Sequence, residues 1–384
     1  MNVAAALTPH ALAPHALAPL RVEWRPLATL GAIAAEWRAL AARALEPNVF
    51  YEPAFALPAA TVFGHDVGAG LVWSHTNRLL GFFPARSERR YGLPLPVLTG
   101  WTHAYAPLGT PLVDRDECVA AIAAWLDRIA ADPALPGMLL LPLVPEGPFA
   151  TALASLPARS SAFGRHRRAL LAPSDDRARY IERAVGAKKR KELRRQRHRL
   201  AGAGALTIDV ATHASVIGDA LDDFLRLEAR GWKGRAGTAA TENETVRRFI
   251  ESAVTGLAGE GKARVDRLRV DGNAVAAVVT LRSGETAWTW KIAYDEAFAR
   301  ASPGVQLMLD VTEALLADRS LARADSCATA GHPMIDHLWR ERLALSDHLI
   351  SVRPAPIAFA LACRLEGLRR TAIATAKTLR DRLR

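Results

Sequence analysis

Apolar positions recur at helical and strand spacing along the first half of the chain. Ile33, Trp37, Leu40 and Ala44 predict a short helix, and proline punctuation over 46–60 favours a loop followed by a second short helix. Two β-rich runs around the polar segment 75–77 predict a hairpin. A further helix is expected over 118–132 and a buried strand over 137–144. This α/β unit is expected to close before about Ser161.

The second half repeats this order. The hydrophobic pattern predicts two helices, a hairpin that turns at Asp271-Gly272, a strand, a helix that begins at Ser302-Pro303, and a final strand. These elements are expected at 214–232, 243–261, 263–283, 285–295, 302–318 and 323–331. Both halves therefore read helix, helix, hairpin, helix, strand, which indicates a duplicated α/β unit.

Charge is concentrated in two segments. The chain has 50 Lys and Arg against 39 Asp and Glu, a formal net charge of +11. Eight of the basic residues lie within 188–199, and seven more lie within 356–384. The remainder is close to neutral, so the composition does not indicate a uniformly basic nucleic-acid coat, and specific DNA binding is not expected.

The two ends of the chain have distinct compositions. Residues 1–20 repeat His-Ala-Leu-Ala-Pro and predict a flexible tail, and no secretory signal is expected there. Residues 355–384 predict a long basic amphipathic helix with Ile357, Leu361, Leu365 and Leu368 on one stripe. Such a helix would either dock on the protein body or lie on an anionic bilayer.

The three cysteines, Cys118, Cys327 and Cys363, are widely spaced and odd in number. They form neither a disulfide framework nor a zinc pattern, which favours a reducing cytoplasm and no metal. No uncharged apolar run approaches the roughly 20 residues that a membrane-spanning helix requires. The sequence predicts a cytoplasmic protein, at most peripheral to the inner face of a membrane.

Four segments in a fixed order carry a family resemblance, namely 188–200, 224–234, 288–316 and 324–339. They resemble the acetyltransferases associated with bacterial cellulose and exopolysaccharide biosynthesis, a branch of the GNAT superfamily, and also the FemAB-like transferases. The segments 50–60 and 105–114 are similar to the first half of that family. The resemblance covers about 30–352 and implies two tandem GNAT-like folds that pass an acyl group to an amine or hydroxyl.

The sequence therefore predicts a mixed α/β (α+β) fold. The expected parts are a tail over 1–20, a GNAT-like domain over 21–176, a basic connecting helix over 177–204, a second GNAT-like acyltransferase domain over 205–354, and the C-terminal helix over 355–384. The expected co-substrate is acetyl-CoA or another acyl-CoA, and the expected acceptor is an unidentified envelope-related molecule.

The start of the helix at 302 suits an anionic donor, because free N–H groups and the helix dipole favour phosphate oxygens. Gly304 would let the backbone approach closely. The resemblance places the pyrophosphate loop here, and only Gly304 matches its glycine pattern. The predicted cofactor-binding residues are Ser302, Gly304, Val305 and Gln306.

Polar residues cluster after the last predicted strand. Asp325 and Cys327 would share a strand face, and Asp325 with His332 could accept the proton of an attacking amine or hydroxyl. The family's Tyr-Lys pair falls on Ile335 and Asp336, a departure from its pattern. Asp325 and His332 are nevertheless the predicted catalytic residues.

The strand over 285–295 predicts Trp288, Trp290 and Ile292 on one face. Lys291 and Tyr294 at its end could orient an acceptor, and so could Trp232 after the preceding helix. Trp232, Trp290, Lys291 and Tyr294 are therefore the predicted substrate-binding residues.

The basic run has a narrow apolar stripe of Ile181, Val185, Leu193 and Leu200 and is otherwise charged. It is either an ordinary solvated helix face or a contact for a donor nucleotide, tRNA or anionic lipid. The predicted anion-binding residues are Lys188, Lys189, Arg190, Lys191 and Arg194.

Three functions remain open at this point. The first is acyl transfer from acyl-CoA, the second is aminoacyl transfer from charged tRNA, and the third is a non-catalytic scaffold that binds anionic lipid or nucleic acid.

Overall fold

A computed structural model describes residues 20–91, 95–172 and 177–382 of the chain. The predicted tail over 1–20 lies outside these residues except for Leu20. Within the described residues, thirteen strands form one mixed sheet. The strands are β1 Arg21–Pro26, β2 Gly68–Trp73, β3 Leu79–Glu88, β4 Val97–Gly100, β5 Leu112–Val113, β6 Met138–Pro145, β7 Arg159–Leu171, β8 Leu206–Ala211, β9 Ala263–Val270, β10 Asn273–Ser283, β11 Thr286–Tyr294, β12 Arg323–Asp325 and β13 Glu341–Ser351.

Eleven α-helices cover the sheet in the same described residues. They are α1 Ala34–Ala42, α2 Pro53–Phe63, α3 Cys118–Ala131, α4 Pro148–Ala154, α5 Tyr180–Ala184, α6 Ala187–Ala201, α7 Ala214–Arg230, α8 Trp232–Arg235, α9 Glu244–Gly259, α10 Pro303–Ala317 and α11 Pro356–Arg382. Short 3₁₀ helices at Leu27–Ile33, Val49–Tyr51, Arg177–Arg179, Ala240–Glu242, Glu296–Ala301 and Ile335–His337 connect them.

The sheet contains two copies of the same strand pattern. In the first half, β1 to β4 are antiparallel neighbours and β6 lies parallel to β4. In the second half, β8 to β11 are antiparallel neighbours and β12 lies parallel to β11. The predicted α/β class and its duplicated pattern are therefore confirmed.

The two halves exchange their last strands. β13 from the second half pairs with β6 of the first half, and β7 from the first half pairs with β12 of the second. β13 and β7 also pair with each other, which joins the two halves into one sheet. Neither strand was predicted, because the polar patterns of β7 and β13 show no sustained apolar alternation. The predicted domain limits remain predictions.

Helices from both halves share one core. Trp37 of α1, Phe55 of α2, Phe224 of α7 and Phe249 of α9 belong to a single buried cluster on one side of the sheet. On the other side, α3 and α4 cover the first half, while α10 covers the second. The apolar spacing of each helix determines its buried face. Burial of this shared core couples the halves energetically.

Most predicted elements of the second half are confirmed. α7, α9, α10 and the β9–β10 hairpin lie where the pattern placed them, and Asp271 and Gly272 both have positive φ (47° and 77°), as a tight I′ turn requires. The predicted strand over 323–331 is too long, since β12 ends at Asp325. Cys327 has φ 53°, so Asp325 and Cys327 do not share a strand face.

The long C-terminal helix is confirmed as α11, and the exposed positions of its predicted stripe include Ile357, Leu361 and Leu368. In the part of the chain that the structure covers, no helix has an apolar stretch long enough to cross a bilayer.

Candidate functional site

A cavity of about 540 Å³ lies where α10 begins, between β10, β11 and the segment that follows β12. The loop after β4 in the first half contributes Ala104 and Pro107 to its wall. Eight of the predicted site residues line this cavity: Ser302, Gly304, Val305, Trp232, Trp290, Lys291, Tyr294 and His332. Asp325 and Gln306 are not in the lining.

The segment 301–305, the predicted donor loop, changes direction at Ser302. Ser302 has φ 50° and makes no side-chain cap, so its predicted capping position is confirmed without the predicted hydrogen bond. A Cβ atom on Gly304 would lie 3.2 Å from Tyr294 Cδ1 and 3.5 Å from Ile292 Cδ1. Glycine therefore lets the first turn of α10 pack closely against β11. The dipole of α10 directs its positive end toward the cavity.

Gln306 has a different role from the predicted one. Its side chain is buried, and Nε2 donates a hydrogen bond to the Leu193 carbonyl oxygen at 3.0 Å. This contact joins α10 to α6. Gln306 therefore positions the basic helix beside the donor loop instead of contacting a ligand in the cavity.

A β-bulge in β11 shapes the cavity wall that carries the predicted substrate-binding residues Trp290 and Lys291. Val279 pairs with Lys291 while the adjacent Thr280 pairs with Thr289, so Trp290 is the extra residue. The bulge interrupts the alternation of side chains, as bulges near active sites often do. Trp288 packs in the core beside α7 and α9, whereas Ile292 packs with the core beside α10. The predicted common face of Trp288, Trp290 and Ile292 is therefore wrong.

Lys291 is a largely buried amine on the cavity wall. Its Nζ lies 3.9 Å from the centre of the Tyr105 ring, a cation–π contact. Among the described residues, no carboxylate forms an ion pair with it. Burial lowers the pKa of Lys291 to about 8, and the nearby charge of Lys233 acts in the same direction.

Tyr105 is a site residue that the sequence interpretation missed. It belongs to the first half, in a segment noted only for its family resemblance. The indole Nε1 of Trp290 donates to the Tyr105 carbonyl oxygen at 2.8 Å, which fixes the loop against β11. The signal that could have found Tyr105 is tertiary, because 185 residues separate it from Trp290.

A salt bridge holds the short helix α8 at the cavity rim. Lys233 Nζ lies 2.5 Å from Glu228 Oε1, and the other oxygen of this buried carboxylate accepts from the Ala240 N–H at 3.0 Å. The Trp232 N–H donates to Glu296 at 2.8 Å, while the Trp232 ring remains largely exposed. Trp232 and Lys233 are thus presented to the cavity from a fixed backbone.

Asp325 lies in a buried ion pair. Its carboxylate pairs with Arg168 of β7, and its Oδ1 accepts from the Cys327 N–H at 3.0 Å. Arg168 also donates to the Pro107 carbonyl oxygen at 2.8 Å. Asp325 therefore connects the exchanged strand to the cavity wall, and the structure does not bring it into the cavity with His332.

His332 lines the cavity, and its Nδ1 accepts from the Met334 N–H at 3.3 Å. In the neutral ring this places the proton on Nε2, so the free nitrogen is a donor. Cys327 also lines the cavity, and burial raises the pKa of its thiol well above the usual value. That shift agrees with a packing role for Cys327, not a nucleophilic one.

The basic helix α6 packs beside α10. Arg197 forms an ion pair with Asp310 at 2.6 Å, and Arg199 donates to the Arg300 carbonyl oxygen at 2.8 Å. Leu193 and Leu200 of α6 are buried on the face of the helix that packs on the body. Of the predicted anion-binding residues, Lys188, Lys189, Lys191 and Arg194 are exposed.

Arg190 differs from the other four, because its guanidinium donates to the carbonyl oxygens of Glu182 and Val185. It closes the turn between α5 and α6.

A second cavity of about 670 Å³ lies between α3 and residues 351–356. Arg353 borders it, but its guanidinium donates to backbone carbonyl oxygens in the last turn of α3 and in the loop after it, including those of Ile129 and Leu135 at 2.9 Å. None of the predicted site residues lines this cavity.

Residues 187–331 match the family model described as an acetyltransferase (GNAT) domain. No curated protein matches the chain in sequence. One similar solved structure is the C-terminal domain of a putative lysylphosphatidylglycerol synthetase from Agrobacterium fabrum, with 14% identity, coverage of 87% of this chain and 95% of that chain, and a TM-score of 0.53. FemX is similar at 9% identity, with coverage of 83% and 95% and a TM-score of 0.55.

A conserved protein of unknown function from Bacteroides thetaiotaomicron has 12% identity, coverage of 83% and 96%, and a TM-score of 0.53. At these identities the similarity is one of fold. The domain match over 187–331 is what confirms the predicted acyltransferase enzyme of the GNAT type.

Proposed function

We propose that this chain, whose residues 187–331 form a GNAT acetyltransferase domain, transfers an acyl group from acyl-CoA to an amine or hydroxyl acceptor. The observation that carries this proposal is the convergence of the donor loop and the acceptor residues on one cavity. Ser302, Gly304 and Val305 line one side of it, and Trp290 and Lys291 line another.

The donor would bind with its phosphates at the start of α10. The positive end of the helix dipole and the close backbone approach at Gly304 favour an anionic group there. The cationic helix α6 lies alongside and adds a favourable field for a nucleotide. Acetyl-CoA or another acyl-CoA fits this arrangement as co-substrate.

Acyl transfer at this site would need a proton acceptor. The amine nitrogen or hydroxyl oxygen of the acyl acceptor attacks the thioester carbonyl, and the carbon–sulfur bond breaks. The coenzyme leaves as a thiolate, and the attacking nitrogen or oxygen loses a proton. Holding both substrates in one cavity supplies the orientation that this step requires.

We assign the base role to Lys291 in preference to the predicted Asp325 and His332. A base must present a lone pair to the cavity. Asp325 is outside the cavity lining and paired with Arg168, and His332 already uses Nδ1 as an acceptor. Lys291 lines the cavity without a carboxylate partner among the described residues, and its pKa near 8 leaves a neutral fraction at neutral pH.

The test of the donor site is calorimetric titration with coenzyme A and acetyl-CoA. We expect micromolar binding that Gly304→Leu weakens by at least about tenfold, since any side chain there meets Tyr294. Gly218→Leu is the matched control, because a Cβ on that exposed helical glycine meets nothing within 4 Å. Equal affinity in the native protein and the Gly304 variant would exclude this donor loop.

Aminoacyl transfer from charged tRNA is the second candidate. The exposed cations of α6, Lys188, Lys189, Lys191 and Arg194, favour it, because they suit the phosphates of a larger donor. Neutralising these four residues should weaken RNA binding and reduce the salt dependence of the binding that remains. A chain that binds neither charged tRNA nor coenzyme A but still binds anionic lipid or other polyanions would instead fit the scaffold alternative.

The envelope or exopolysaccharide role, the cytoplasmic location and peripheral contact with an anionic membrane belong to this proposal. Their support is the sequence resemblance and the two basic segments. The acceptor itself would be sought by following coenzyme A release with envelope-related amines and alcohols.

A further inference from the structure

The helix α11 is held on the body by one face only. Ala362 is buried among Met138, Leu140 and Leu349, and Phe359 packs against the same cluster. Because these contacts come from one side of residues 359–370, the opposite side of that part of the 27-residue helix faces solvent.

A buried carboxylate sets the rotation of α11. Glu366 has no exposed side-chain surface, and it accepts hydrogen bonds from Arg90 Nε at 2.8 Å and from Arg370 Nε at 2.7 Å. Turning the helix would separate Glu366 from Arg90 and leave the largely buried Arg90 guanidinium without this carboxylate, which is costly. The exposed face is therefore fixed by the fold.

That exposed face is apolar. Ile357 is 85% exposed, Leu361 44% and Leu368 68%. Their spacings of four and seven residues place them on one stripe, which extends about 16 Å along the helix. A surface helix of a soluble domain ordinarily buries such a stripe, and an exposed one marks an interaction surface.

The charges around the stripe are positive. Arg364 is exposed between Leu361 and Leu368 and has no ion-pair partner among the described residues. In the sequence from 356 to 376, Glu366 is the sole acidic residue, and it is buried. An apolar stripe with cationic flanks is the pattern of helices that lie in a membrane interface.

A second copy of the chain fits this face less well. A twofold contact would bring identical stripes together, and Arg364 would meet a cationic surface with no exposed acid on that helix segment to pair with it. Anionic lipid headgroups supply the missing counter-charge, and the long arginine side chain can reach them while the leucines enter the acyl boundary.

We propose that the outward face of α11, formed by Ile357, Leu361, Arg364 and Leu368, docks the protein onto an anionic lipid bilayer. The helix lies flat in the interface and remains attached to the body through Glu366. This docking rests on the peripheral membrane contact included in the proposed function, but it does not depend on which acyl donor the cavity binds.

Vesicle co-flotation of the full chain tests the proposal. We expect binding to vesicles of phosphatidylcholine mixed with phosphatidylglycerol that is at least about tenfold stronger than binding to phosphatidylcholine alone. Replacing Ile357, Leu361 and Leu368 together by Gln should weaken binding by at least about tenfold. Arg364→Gln should reduce binding to the anionic vesicles only.

The control replaces three exposed apolar residues elsewhere on the surface, Val119, Ile208 and Val216, by Gln. It should bind vesicles like the native chain, and both triple variants should keep the native thermal unfolding transition. The proposal is overturned if the native chain does not bind anionic vesicles, or if the control loses as much vesicle binding as the stripe variant. It is also overturned if the native chain is a dimer by sedimentation and the stripe variant is a monomer that still binds vesicles.

Calorimetry separates this inference from the proposed function. The stripe variant should bind coenzyme A with native affinity, because α11 does not line the donor cavity. A native chain that binds vesicles but not coenzyme A would defeat the donor proposal alone.

Discussion

Lys291 lies where a charged side chain is unfavourable, on a largely buried wall beside the ring of Tyr105. Burial disfavours the ammonium form, and Lys233 adds repulsion. The cation–π contact offsets only part of this cost. A lysine in this state can change protonation near neutral pH, which an exposed lysine cannot do.

The rate of acyl transfer should therefore depend on pH through Lys291. Only the neutral amine accepts a proton, so kcat/KM should rise about tenfold per pH unit below a pKa near 8 and level off above it. Coenzyme A release with acetyl-CoA as donor is the measurement. Lys291→Met and Lys291→Arg should each reduce the rate by about 10²-fold to 10⁴-fold.

His332→Gln is the comparison for this prediction, and it should retain the rise of kcat/KM with pH. If the rise of kcat/KM with pH persists in Lys291→Met and disappears in His332→Gln, the base is His332.

His103 gives a second prediction for a single residue. It stacks on Phe63 at 4.2 Å, and its Nε2 is buried without a partner within the described residues. Burial, aided by the charge of Lys291, lowers the pKa of His103 to about 3. In the unfolded chain an ordinary histidine has a pKa near 6.5.

The unfolded state therefore binds a proton between pH 6.5 and about 3 that the folded state does not bind. Stability should be unaffected above pH 6.5 and should fall by up to about 1.4 kcal/mol per pH unit below it. His103→Phe keeps a ring and removes this contribution. Urea unfolding across that range should show a smaller acid-induced loss in the variant, and equal losses would contradict the pKa assignment.

At the scale of elements, β7 connects the exchanged sheet to the cavity through Arg168. Its guanidinium is buried, pairs with Asp325 and holds the Pro107 carbonyl oxygen. One side chain thus bridges β7, β12 and the cavity wall. A buried pair of this kind depends on both partners being present.

Arg168→Met should therefore lower the free energy of unfolding by about 3–5 kcal/mol, because it leaves Asp325 buried and uncompensated. Chemical denaturation measures this change. The double variant Arg168→Met with Asp325→Leu should recover part of the loss, since it removes the orphaned charge. A single variant as stable as the native chain would show that Asp325 is not confined as the structure has it.

At the scale of the molecule, the two halves depend on each other. β13 lies between β6 and β7, so the first half borrows its last strand from residues 341–351. The shared core of α2 and α9 adds a second link. One cooperative unfolding transition is the expectation for such an interlocked sheet.

Truncation tests this dependence. A chain that ends at Arg340 lacks β13 and α11, and we expect it to be insoluble or to unfold without a cooperative transition, because β6 and β7 lose their shared neighbour. A chain that ends at Pro354 lacks α11 but keeps every described strand, and it should fold with reduced stability. Independent folding of the shorter chain would contradict the strand exchange.

The sequence alone predicts the elements whose signals are local. Helical spacing located α7 and α9, Asp271-Gly272 located a hairpin, and Ser302-Pro303 located the start of α10, because each depends on neighbouring residues. The sequence also predicts most residues of the candidate site, since Trp290 and Lys291 lie on one predicted strand and Gly304 lies at one predicted helix start.

The other features depend on tertiary contacts, because those contacts join residues far apart in the chain. β7 and β13 are stabilised by partners from the opposite half, so their own patterns carry little signal. The bulge at Trp290 comes from its pairing with β10, the Asp325 ion pair from Arg168, and the wall behind Lys291 from Tyr105. The sequence predicts the apolar stripe of α11, but the stripe faces solvent because Glu366 is buried on the opposite face.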